Sequence, residues 1–555
     1  MHRLFFTVVV FLLSVNTMVA AALPPHSAIA SAHPVATQAG LDIIQQGGNA
    51  FDAAITVSAT LAVVEPYSSG MGGGGFWLLH READKKQVMI DGRERAPLKA
   101  HRNMYLDTDG NVIAGLSVDG PLAAGIPGEP AALAHIAKHY GRLSLQKTLA
   151  PAIRAAREGF AVTVHYQRMA KFRLDALRAS PEAARIFLHN NEVPPLGHLI
   201  KQPELASTLE RLATKGERGF YQGTVAKQMI EGVQAAGGIW TYSDLNSYGI
   251  AERTPLMIEY QGHRIVTAPP PSSGGVAMAQ IFNQLSLLEA TSKAEPLRTH
   301  LIIEAMRRAY RDRSVYLGDA DFVAVPVARL VGREHAQTMV RDIDPEMATL
   351  SHELPGGAEP GRGFHTTHFS ILDKEGNRVS ATLSINYPFG SGFVVPGTGV
   401  LLNDEMDDFS AKPGTPNVYG LVGADANAIA PGKRMLSSMS PSFVEGPDRV
   451  ALIGTPGGSR IITMVLLGIQ AFIEGHDAER IVTMPRFHHQ YLPDQVQMEA
   501  EAFSREQQQQ LHSLGHILTV IENGFGNMQL VTWNKSTASV SAASDPRGEG
   551  MARVE

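Results

Sequence analysis

The stretch His365-Thr366-Thr367-His368-Phe369-Ser370 decides how this chain folds and what chemistry it can perform. A strand-like run begins at Thr366, directly after the Gly- and Pro-rich segment Pro355–Gly363. A threonine in this position suggests a nucleophile that chain cleavage turns into a new N-terminus, because its hydroxyl and its own α-amine can then act as nucleophile and base. Many threonines open strands without any chemistry, since β-branched side chains favour strands. The interpretation therefore depends on the rest of the chain.

The bulk composition is that of a large globular protein. The chain has 555 residues, of which 44% are hydrophobic and 18% are charged. Its formal net charge of -6 comes with no basic block, which argues against nucleic acid as a partner. There is no cysteine, so disulfides and thiol chemistry are excluded.

The N-terminus has the pattern of an export signal. A short positive start, Met1-His2-Arg3, precedes the apolar stretch Leu4–Val15, and Val19–Ala22 offers small residues for cleavage. The apolar stretch is short for a bilayer span, although a retained anchor is the alternative. We expect residues 1–21 to be a signal peptide and the mature protein to be soluble, exported and periplasmic.

Hydrophobic periodicity predicts helices and strands in blocks, which is typical of α+β folds with antiparallel sheets. Asn49 is predicted to cap a helix, and Leu297–Arg313 is predicted to be amphipathic with its arginines in solvent. Residues 130–240 are predicted to be mostly helical. The other predicted helices are Ala36–Gln46, Ala53–Val64 and Ile461–Phe472, and the predicted strands are Phe76–His80, Gln87–Asp91, Thr367–Leu372, Val379–Ile385 and Val450–Ile453.

Two glycine-rich turns differ in what they predict. Gly72–Gly75 lacks a following Lys-Ser/Thr and fits neither a phosphate loop nor a dinucleotide fingerprint, so we expect a close approach of backbones. Gly457 and Gly458 lie between a predicted strand and a predicted helix, where backbone N–H groups suit an oxyanion. The alternative for that second turn is a plain connection in which Ser459 caps the helix.

Three polar clusters are further candidates. Asn403–Phe409 is rich in carboxylates, but its spacing is not that of a calcium loop. Ser437–Pro441 is a hydroxyl cluster that could be a simple turn. Arg486–His489 contains adjacent histidines, which do not share a helix face and have no nearby glutamate to complete a metalloprotease motif. We expect no metal site.

With these residues in view, the chain resembles the γ-glutamyltransferase (γ-glutamyltranspeptidase) family of N-terminal-nucleophile hydrolases. The resemblance implies a four-layer αββα sandwich of the α+β class. It also implies self-cleavage at His365-Thr366 into a large subunit, residues 22–365, and a small catalytic subunit, residues 366–555. The motifs that carry the resemblance are Gly72–Gly75, Arg93-Glu94 with Ala96-Pro97, Pro271–Gly275, Thr366–His368, Asn403–Pro413, Asn417–Leu421, Ser437–Pro441, Pro456–Arg460 and Ser544–Arg547.

The resemblance also implies roles for individual residues. Thr366 matches the nucleophile, and Gly457 and Gly458 match the oxyanion donors. The segment Pro413–Gly423, with Tyr419, resembles a lid over the pocket. Ser384 stands where the family often has a second threonine, so the hydroxyl is kept and the methyl is lost. The substrate α-carboxylate would be held by Arg93, Ser437 and Ser438, and its α-amine by Asn386, Glu405 and Asp408.

The resulting hypothesis is a two-step γ-glutamyl transfer without metal or organic cofactor. The donor is glutathione or another γ-glutamyl compound, and the acceptor is water, an amino acid or a dipeptide. A cephalosporin (glutaryl) acylase is the nearest rival, but a glutaryl group has no α-amine to pair with Glu405 and Asp408. A poly-γ-glutamate transferase would need an open groove rather than a lid. A non-cleaving exported γ-glutamyl-binding protein is the alternative without catalysis.

Overall fold

The computed structural model describes residues 23–354, 366–522 and 524–555. The predicted signal peptide, the segment Pro355–Gly363 and His365 lie outside the described residues. Among the described residues there is no helix with the length and apolar character needed to cross a membrane.

The strands of the described residues are β1 (Ala28–Ser31), β2 (Gly74–Arg81), β3 (Lys86–Gly92), β4 (Phe160–Ala161), β5 (Leu199–Ile200), β6 (Ala251–Arg253), β7 (Leu256–Tyr260), β8 (His263–Thr267), β9 (Thr367–Leu372), β10 (Arg378–Ser384), β11 (Val394–Val395), β12 (Val400–Leu401), β13 (Ser442–Glu445), β14 (Arg449–Gly454), β15 (Phe487–His488), β16 (Val496–Met498), β17 (Leu518–Val520), β18 (Gln529–Asn534), β19 (Ser539–Ser544) and β20 (Met551–Val554).

The helices of the same residues are α1 (Pro34–Gln45), α2 (Ala50–Val64), α3 (Glu129–His139), α4 (Leu145–Glu158), α5 (Val164–Phe172), α6 (Leu174–Ala179), α7 (Pro181–Phe187), α8 (Pro203–Lys215), α9 (Arg218–Tyr221), α10 (Gly223–Ala235), α11 (Tyr242–Asn246), α12 (Gly274–Leu287), α13 (Leu297–Tyr316), α14 (Val327–Leu330), α15 (Arg333–Val340), α16 (Ile461–Ile473), α17 (Ala478–Thr483) and α18 (Arg505–Ser513).

Two antiparallel sheets form the centre of the molecule. The first has the strand order β20-β1-β9-β10-β2-β3-β6, and the second has the order β19-β18-β14-β13-β8-β7. The predicted hairpins β2–β3 and β9–β10 are both confirmed, and β10 also pairs with β2. The strand that follows Thr366 therefore lies in the middle of the first sheet, between β1 and β10.

Successive side chains of β9 lie on opposite faces of the first sheet, and their contacts show how the two sheets are stacked. Phe369 and Ile371 pack into the core on the helix side, with α1 to α4. On the opposite face, the Ser370 hydroxyl hydrogen-bonds to the carbonyls of Leu452 in β14 and Gln529 in β18, each at 3.1 Å. Because both faces of this sheet are covered, every residue of β9 is buried.

The second sheet is covered on its outer side by helices α12 and α16, and α13 packs on α12. Apolar residues from these helices and from the second sheet form a separate large core. The order of layers is helices, first sheet, second sheet, helices. The predicted αββα sandwich is thus confirmed.

Local sequence signals explain several boundaries. Helix α2 begins at the predicted cap, where Asn49 Oδ1 accepts hydrogen bonds from Phe51 N and Asp52 N at 3.0 Å. The predicted close approach at Gly72–Gly75 is also present. A Cβ atom at Gly72 would lie 2.0 Å from the Leu401 carbonyl oxygen, and one at Gly75 would lie 2.5 Å from the Thr382 carbonyl oxygen.

The prediction that the arginines of α13 are solvated is wrong. Arg307, Arg308 and Arg313 are all buried. Arg307 Nε and Arg308 Nη1 contact the two oxygens of Glu304 at 3.2 and 2.5 Å. The helix is enclosed because α12 covers one side and the segment leading to Ser351, which hydrogen-bonds Arg307, covers another. Burial of these charges is tolerated because each has an ionic or hydrogen-bonding partner.

Candidate active site

Thr366 immediately precedes β9 and is 6% exposed. It lies between two cavities of very different size. The smaller has a volume of about 20 Å³ and the larger about 670 Å³. The smaller cavity is lined by every residue that the sequence analysis placed in the site except Gly457, namely Arg93, Thr366, Ser384, Asn386, Glu405, Asp408, Tyr419, Ser437, Ser438 and Gly458.

Arg93 lies just past β3, as the hairpin predicted, and its side chain is 1% exposed. Its Nη1 is 2.8 Å from Glu405 Oε2 and its Nη2 is 2.5 Å from Asp408 Oδ2. The guanidinium therefore bridges two carboxylates from the turn after β12. This places one cation and two acidic groups at the same end of the cavity.

Burial sets the protonation of the acidic groups beside Arg93. It raises the pKa of Glu405 to about 7, which the charge of Arg93 opposes and that of Asp408 reinforces. Burial also raises the pKa of Glu94 well above its usual range, and neither of its carboxyl oxygens has a hydrogen-bond partner among the described residues. Fewer negative charges face Arg93 near neutral pH than the count of acidic residues suggests.

Ser384 ends β10, and Asn386 follows it in the left-handed region with φ of 71°. The Ser384 hydroxyl accepts a hydrogen bond from Asn386 N at 2.7 Å, and Asn386 Nδ2 donates to the Asp404 carbonyl at 3.1 Å. Asparagine tolerates this backbone conformation better than most residues. These bonds hold the Asn386 side chain beside the acidic turn.

The turn between β14 and α16 contains Gly457 and Gly458, with φ of 142° and 58°. Gly458 lines the smaller cavity and Gly457 the larger one. A Cβ atom at Gly458 would lie 2.4 Å from the Tyr419 ring, so only glycine fits here. Ser459 does not cap the helix, because its hydroxyl donates to Gln490 Oε1 at 2.7 Å and a short 3-10 turn comes first.

The segment with Tyr419 contributes to the lining of the smaller cavity. The Tyr419 hydroxyl donates to the Asn386 carbonyl at 2.9 Å, and Asn417 Nδ2 donates to Asp408 Oδ1 at 3.2 Å. Gln490 Nε2 donates to the Tyr419 carbonyl at 3.2 Å. The segment is therefore attached directly to residues that line the cavity.

Arg313 is a residue of this region that the sequence analysis missed. Its Nη2 donates to the Ser438 hydroxyl at 3.2 Å and its Nε to the Ser273 hydroxyl at 3.0 Å. The Ser437 carbonyl in turn accepts bonds from the N–H and hydroxyl of Ser273. Nothing in the local sequence marks Arg313, since its partners come from distant parts of the chain.

The histidines of the Arg486–His489 stretch are buried and hydrogen-bonded to protein groups. His488 contacts Thr463 and Gln490, and His489 contacts Asp494. The group of possible metal ligands among residues 23–354, 366–522 and 524–555 is instead His300, Glu304 and His516. The arginines that already bind both oxygens of Glu304 oppose a further cation there.

Comparison with known proteins identifies the family. The model for the gamma-glutamyltranspeptidase family matches residues 36–554. The chain belongs to this family. It is 43% identical over 496 residues to a glutathione hydrolase proenzyme of Pseudomonas sp. (strain A14), covering 88% of this chain and 85% of the relative. It is 41% identical over 527 residues to the glutathione hydrolase proenzyme of Escherichia coli, covering 94% and 90%.

Solved structures agree with this membership. The crystal structure of a cephalosporin acylase from Bacillus halodurans superposes with a TM-score of 0.82 and 27% identity, covering 99% of both chains. The fold is thus shared by gamma-glutamyltranspeptidases and by the nearest rival considered from sequence. Discrimination between the two activities must come from the residues of the smaller cavity.

Proposed function

We propose that this gamma-glutamyltranspeptidase matures by self-cleavage before Thr366, and that Thr366 then transfers the γ-glutamyl group of glutathione or a related compound. The observation that carries the proposal is the smaller cavity, which is lined both by Thr366 and by Arg93 with its two carboxylate partners. One end of this cavity can pair with both charges of an α-amino acid, and the other end presents a nucleophile.

The charges at the closed end match the zwitterionic end of a γ-glutamyl group. The substrate α-carboxylate would bind Arg93 and the hydroxyls of Ser437 and Ser438. Its ammonium would bind Glu405, Asp408 and the amide of Asn386. Because Arg93 already contacts both carboxylates, binding exchanges ionic partners and leaves no buried charge alone.

In this structure the smaller cavity is too small for a γ-glutamyl group. About 20 Å³ is room for roughly one water molecule. Donor entry therefore requires displacement of the segment 413–423 or of the Arg93 ion pairs. The hydrogen bond between Tyr419 and Asn386 is the contact that closes the cavity beside Gly458.

The transfer proceeds in two steps. The Thr366 hydroxyl attacks the γ-carbonyl while the Thr366 α-amine, whose ordinary pKa is about 7.7–8.0, accepts the hydroxyl proton. Backbone N–H groups of Gly457 and Gly458 would stabilise the oxyanion. The C–N bond breaks, the proton passes to the departing amine, and a γ-glutamyl ester remains on Thr366. Water or an acceptor amine then attacks the ester and regenerates the hydroxyl.

Glutaryl acylase activity is the second candidate, because of the structural similarity to the Bacillus halodurans enzyme. A glutaryl group has the distal carboxylate but lacks the α-amine. Asp408 and Glu405 would then face no cation from the substrate. This favours γ-glutamyl donors over glutaryl donors.

Two further expectations belong to this proposal. The large and small subunits would stay together, since β1, β2 and β3 from one side of the cleavage point and β9, β10 and β20 from the other form a single sheet.

Export to the periplasm is inferred from residues 1–21, and N-terminal sequencing of protein recovered from the periplasm would test it.

The proposal is tested by intact mass and by paired substrates. Wild-type protein should give two fragments, the smaller beginning at Thr366, while Thr366→Ala should remain one chain without turnover. Wild type should hydrolyse a γ-glutamyl anilide much faster than the matching glutaryl anilide. Full turnover by Thr366→Ala, or a preference for the glutaryl compound, would overturn the proposal.

A further inference from the structure

Arg313 is a buried cation that forms no ion pair with a carboxylate of the described residues. It lies on α13 and is 5% exposed. On the same helix, Arg307 and Arg308 pair with the two oxygens of Glu304, whereas Arg313 donates to two serine hydroxyls. A charge buried in this way is costly unless an anion completes its surroundings. Its position therefore calls for an anion that the protein itself does not place there.

We propose that Arg313 is a positioning residue for the donor, and that it acts through Ser438 rather than by direct contact. Its guanidinium holds the Ser438 hydroxyl so that the hydroxyl proton is directed at the donor α-carboxylate, and this carboxylate supplies the anion that Arg313 lacks. The inference rests on the proposed function, which places the α-carboxylate at Ser437 and Ser438. It adds the residue that makes a free α-carboxylate a requirement.

The Ser438 hydroxyl connects Arg313 to the smaller cavity. It accepts a hydrogen bond from Arg313 Nη2 at 3.2 Å and donates to no acceptor among the described residues. Ser438 lines the smaller cavity, whereas Arg313 is not one of the described residues that line it. A hydroxyl has one proton, so a group that donates to its oxygen leaves that proton for a ligand. The ligand must then be an acceptor, which a carboxylate is and an ammonium is not.

Arg313 also fixes the backbone of the neighbouring serine. Its Nε donates to the Ser273 hydroxyl at 3.0 Å, and that hydroxyl donates to the Ser437 carbonyl at 2.7 Å. The same carbonyl accepts a hydrogen bond from Ser273 N at 2.8 Å. The Ser437 hydroxyl accepts a hydrogen bond from Met439 N at 3.1 Å, so its own proton can also point to a ligand. One guanidinium therefore holds both serines whose hydroxyls would bind the carboxylate.

The distance from Arg313 to the bound carboxylate suits an electrostatic contribution. A carboxylate oxygen that accepts the Ser438 proton would lie roughly 5–6 Å from Arg313 Nη2, one hydrogen-bond length beyond the hydroxyl. Opposite charges at about 4–6 Å stabilise each other. Burial lowers the pKa of Arg313, which Tyr310 and Asp408 oppose, and an arginine remains charged in proteins. Arg93 and Arg313 together then attract one carboxylate, and a neutral carboxamide gains from neither charge.

The test compares two donors that differ only at the α-carbon: γ-glutamyl-p-nitroanilide and the same anilide with its α-carboxylate converted to a carboxamide. The acid-to-amide ratio of kcat/KM should fall at least about tenfold from wild type to Arg313→Met, the effect of losing one charge-assisted contact. Arg313→Lys keeps the charge but cannot reach both hydroxyls with a planar fork, so its ratio should lie between the two. Arg311→Met, on the same helix but paired with Asp312, is the matched control and should keep the wild-type ratio.

A double-mutant cycle with Ser438→Ala separates positioning through Ser438 from a general effect on folding. Misfolding or slower attack by Thr366 lowers both rates together and leaves the ratio unchanged. In the Ser438→Ala background, Arg313→Met should lower the ratio by less than about threefold, because the hydroxyl through which it acts is gone. If Arg313→Met does not mature, Arg313→Lys takes its place in the cycle and must still show a lower ratio than wild type.

The outcomes distinguish this inference from the proposed function. A wild-type ratio in the Arg313 variants, or an equal fall with and without the Ser438 hydroxyl, would overturn the inference and leave the proposed function intact. A ratio near one in wild type would overturn the inference together with the proposed site for the α-carboxylate. Absence of p-nitroaniline release by wild type would overturn the proposed function itself.

Discussion

The two cavities that meet at Thr366 differ in whether their arginines are buried and paired with carboxylates. In the smaller cavity, Arg93 is 1% exposed and contacts the carboxylates of Glu405 and Asp408. In the larger cavity, Arg168 is exposed and has no carboxylate partner among the described residues. The first arrangement holds its cation in buried ion pairs, and the second leaves a cation exposed.

The difference has an energetic consequence. Removing one partner of a buried ion pair typically costs about 3–5 kcal/mol, because the other charge stays buried and unpaired. An exposed ion pair is worth about 0–1 kcal/mol. Changes at Arg93 should therefore affect donor turnover and stability strongly, and changes at Arg168 should affect both only slightly.

The largest effect is expected from Arg93→Lys. Lysine keeps the charge but cannot contact Glu405 and Asp408 with a planar fork, so kcat/KM for a γ-glutamyl anilide should fall by about 100-fold, equivalent to roughly 2.7 kcal/mol. Donor kinetics on the cleaved enzyme would measure this. Arg142→Lys, in an exposed pair with Glu375, is the control and should change the rate less than twofold. Equal effects of the two variants would show that the buried ion pairs of Arg93 have no special importance for the donor.

A second prediction concerns pH and Glu405, whose pKa burial raises to about 7. Its carboxylate is lost as pH falls through that value, so donor KM should rise up to about tenfold per pH unit below 7. Glu405→Gln should remove this rise of donor KM at low pH. Asp425→Asn, an exposed change, should leave it in place. A KM profile for Glu405→Gln that still rises below pH 7 would assign the titration to another group.

The raised pKa of Glu405 also predicts how stability depends on pH. The sign is opposite to that of an ordinary ion-paired carboxylate. The folded protein holds the Glu405 proton up to about pH 7, whereas the unfolded chain releases it near the ordinary glutamate pKa of 4.5. The contribution of Glu405 to stability is therefore present below about pH 4.5 and declines as pH rises toward 7. Denaturant unfolding of wild type and Glu405→Gln across this range would show whether the difference between them changes in this direction.

A smaller effect is expected from Tyr419→Phe. Loss of the hydrogen bond to the Asn386 carbonyl should ease displacement of the segment 413–423 by about 0.5–1.5 kcal/mol and lower donor KM by about two- to tenfold. Tyr140→Phe, which removes a hydroxyl bonded to Glu252, is the control. An unchanged or higher donor KM in Tyr419→Phe would show that this hydrogen bond does not hinder donor entry.

The smallest effect is expected from Ser384→Thr. The added methyl restricts rotation of a hydroxyl that already accepts a bond from Asn386 N. Self-cleavage should accelerate by less than about threefold, measured as the fraction of two-chain protein over time. Ser380→Thr, on the same strand but bonded to the Ile453 carbonyl, is the comparison. Slower cleavage in Ser384→Thr would show that the serine is required by the local packing.

Much of the fold follows from short-range signals. The cap at Asn49, the hairpins β2–β3 and β9–β10 and the helix after Gly458 are where periodicity and turn residues placed them. The solvated face expected for α13 is the main error. A polar stripe on a helix predicts solvent only when no other segment covers it, and the carboxylates that pair with Arg307 come from α13 itself and from Asp494.

The sequence by itself determined the family, the αββα class and the set of residues around Thr366, because these depend on motifs whose residue types and order are visible in one chain. Tertiary structure alone decided which charges are paired, that Arg313 supports Ser438, and that Thr366 lies between a small cavity and a much larger one. These features depend on contacts between residues far apart in the chain. Burial also shifts proton affinities in a way that residue type does not reveal.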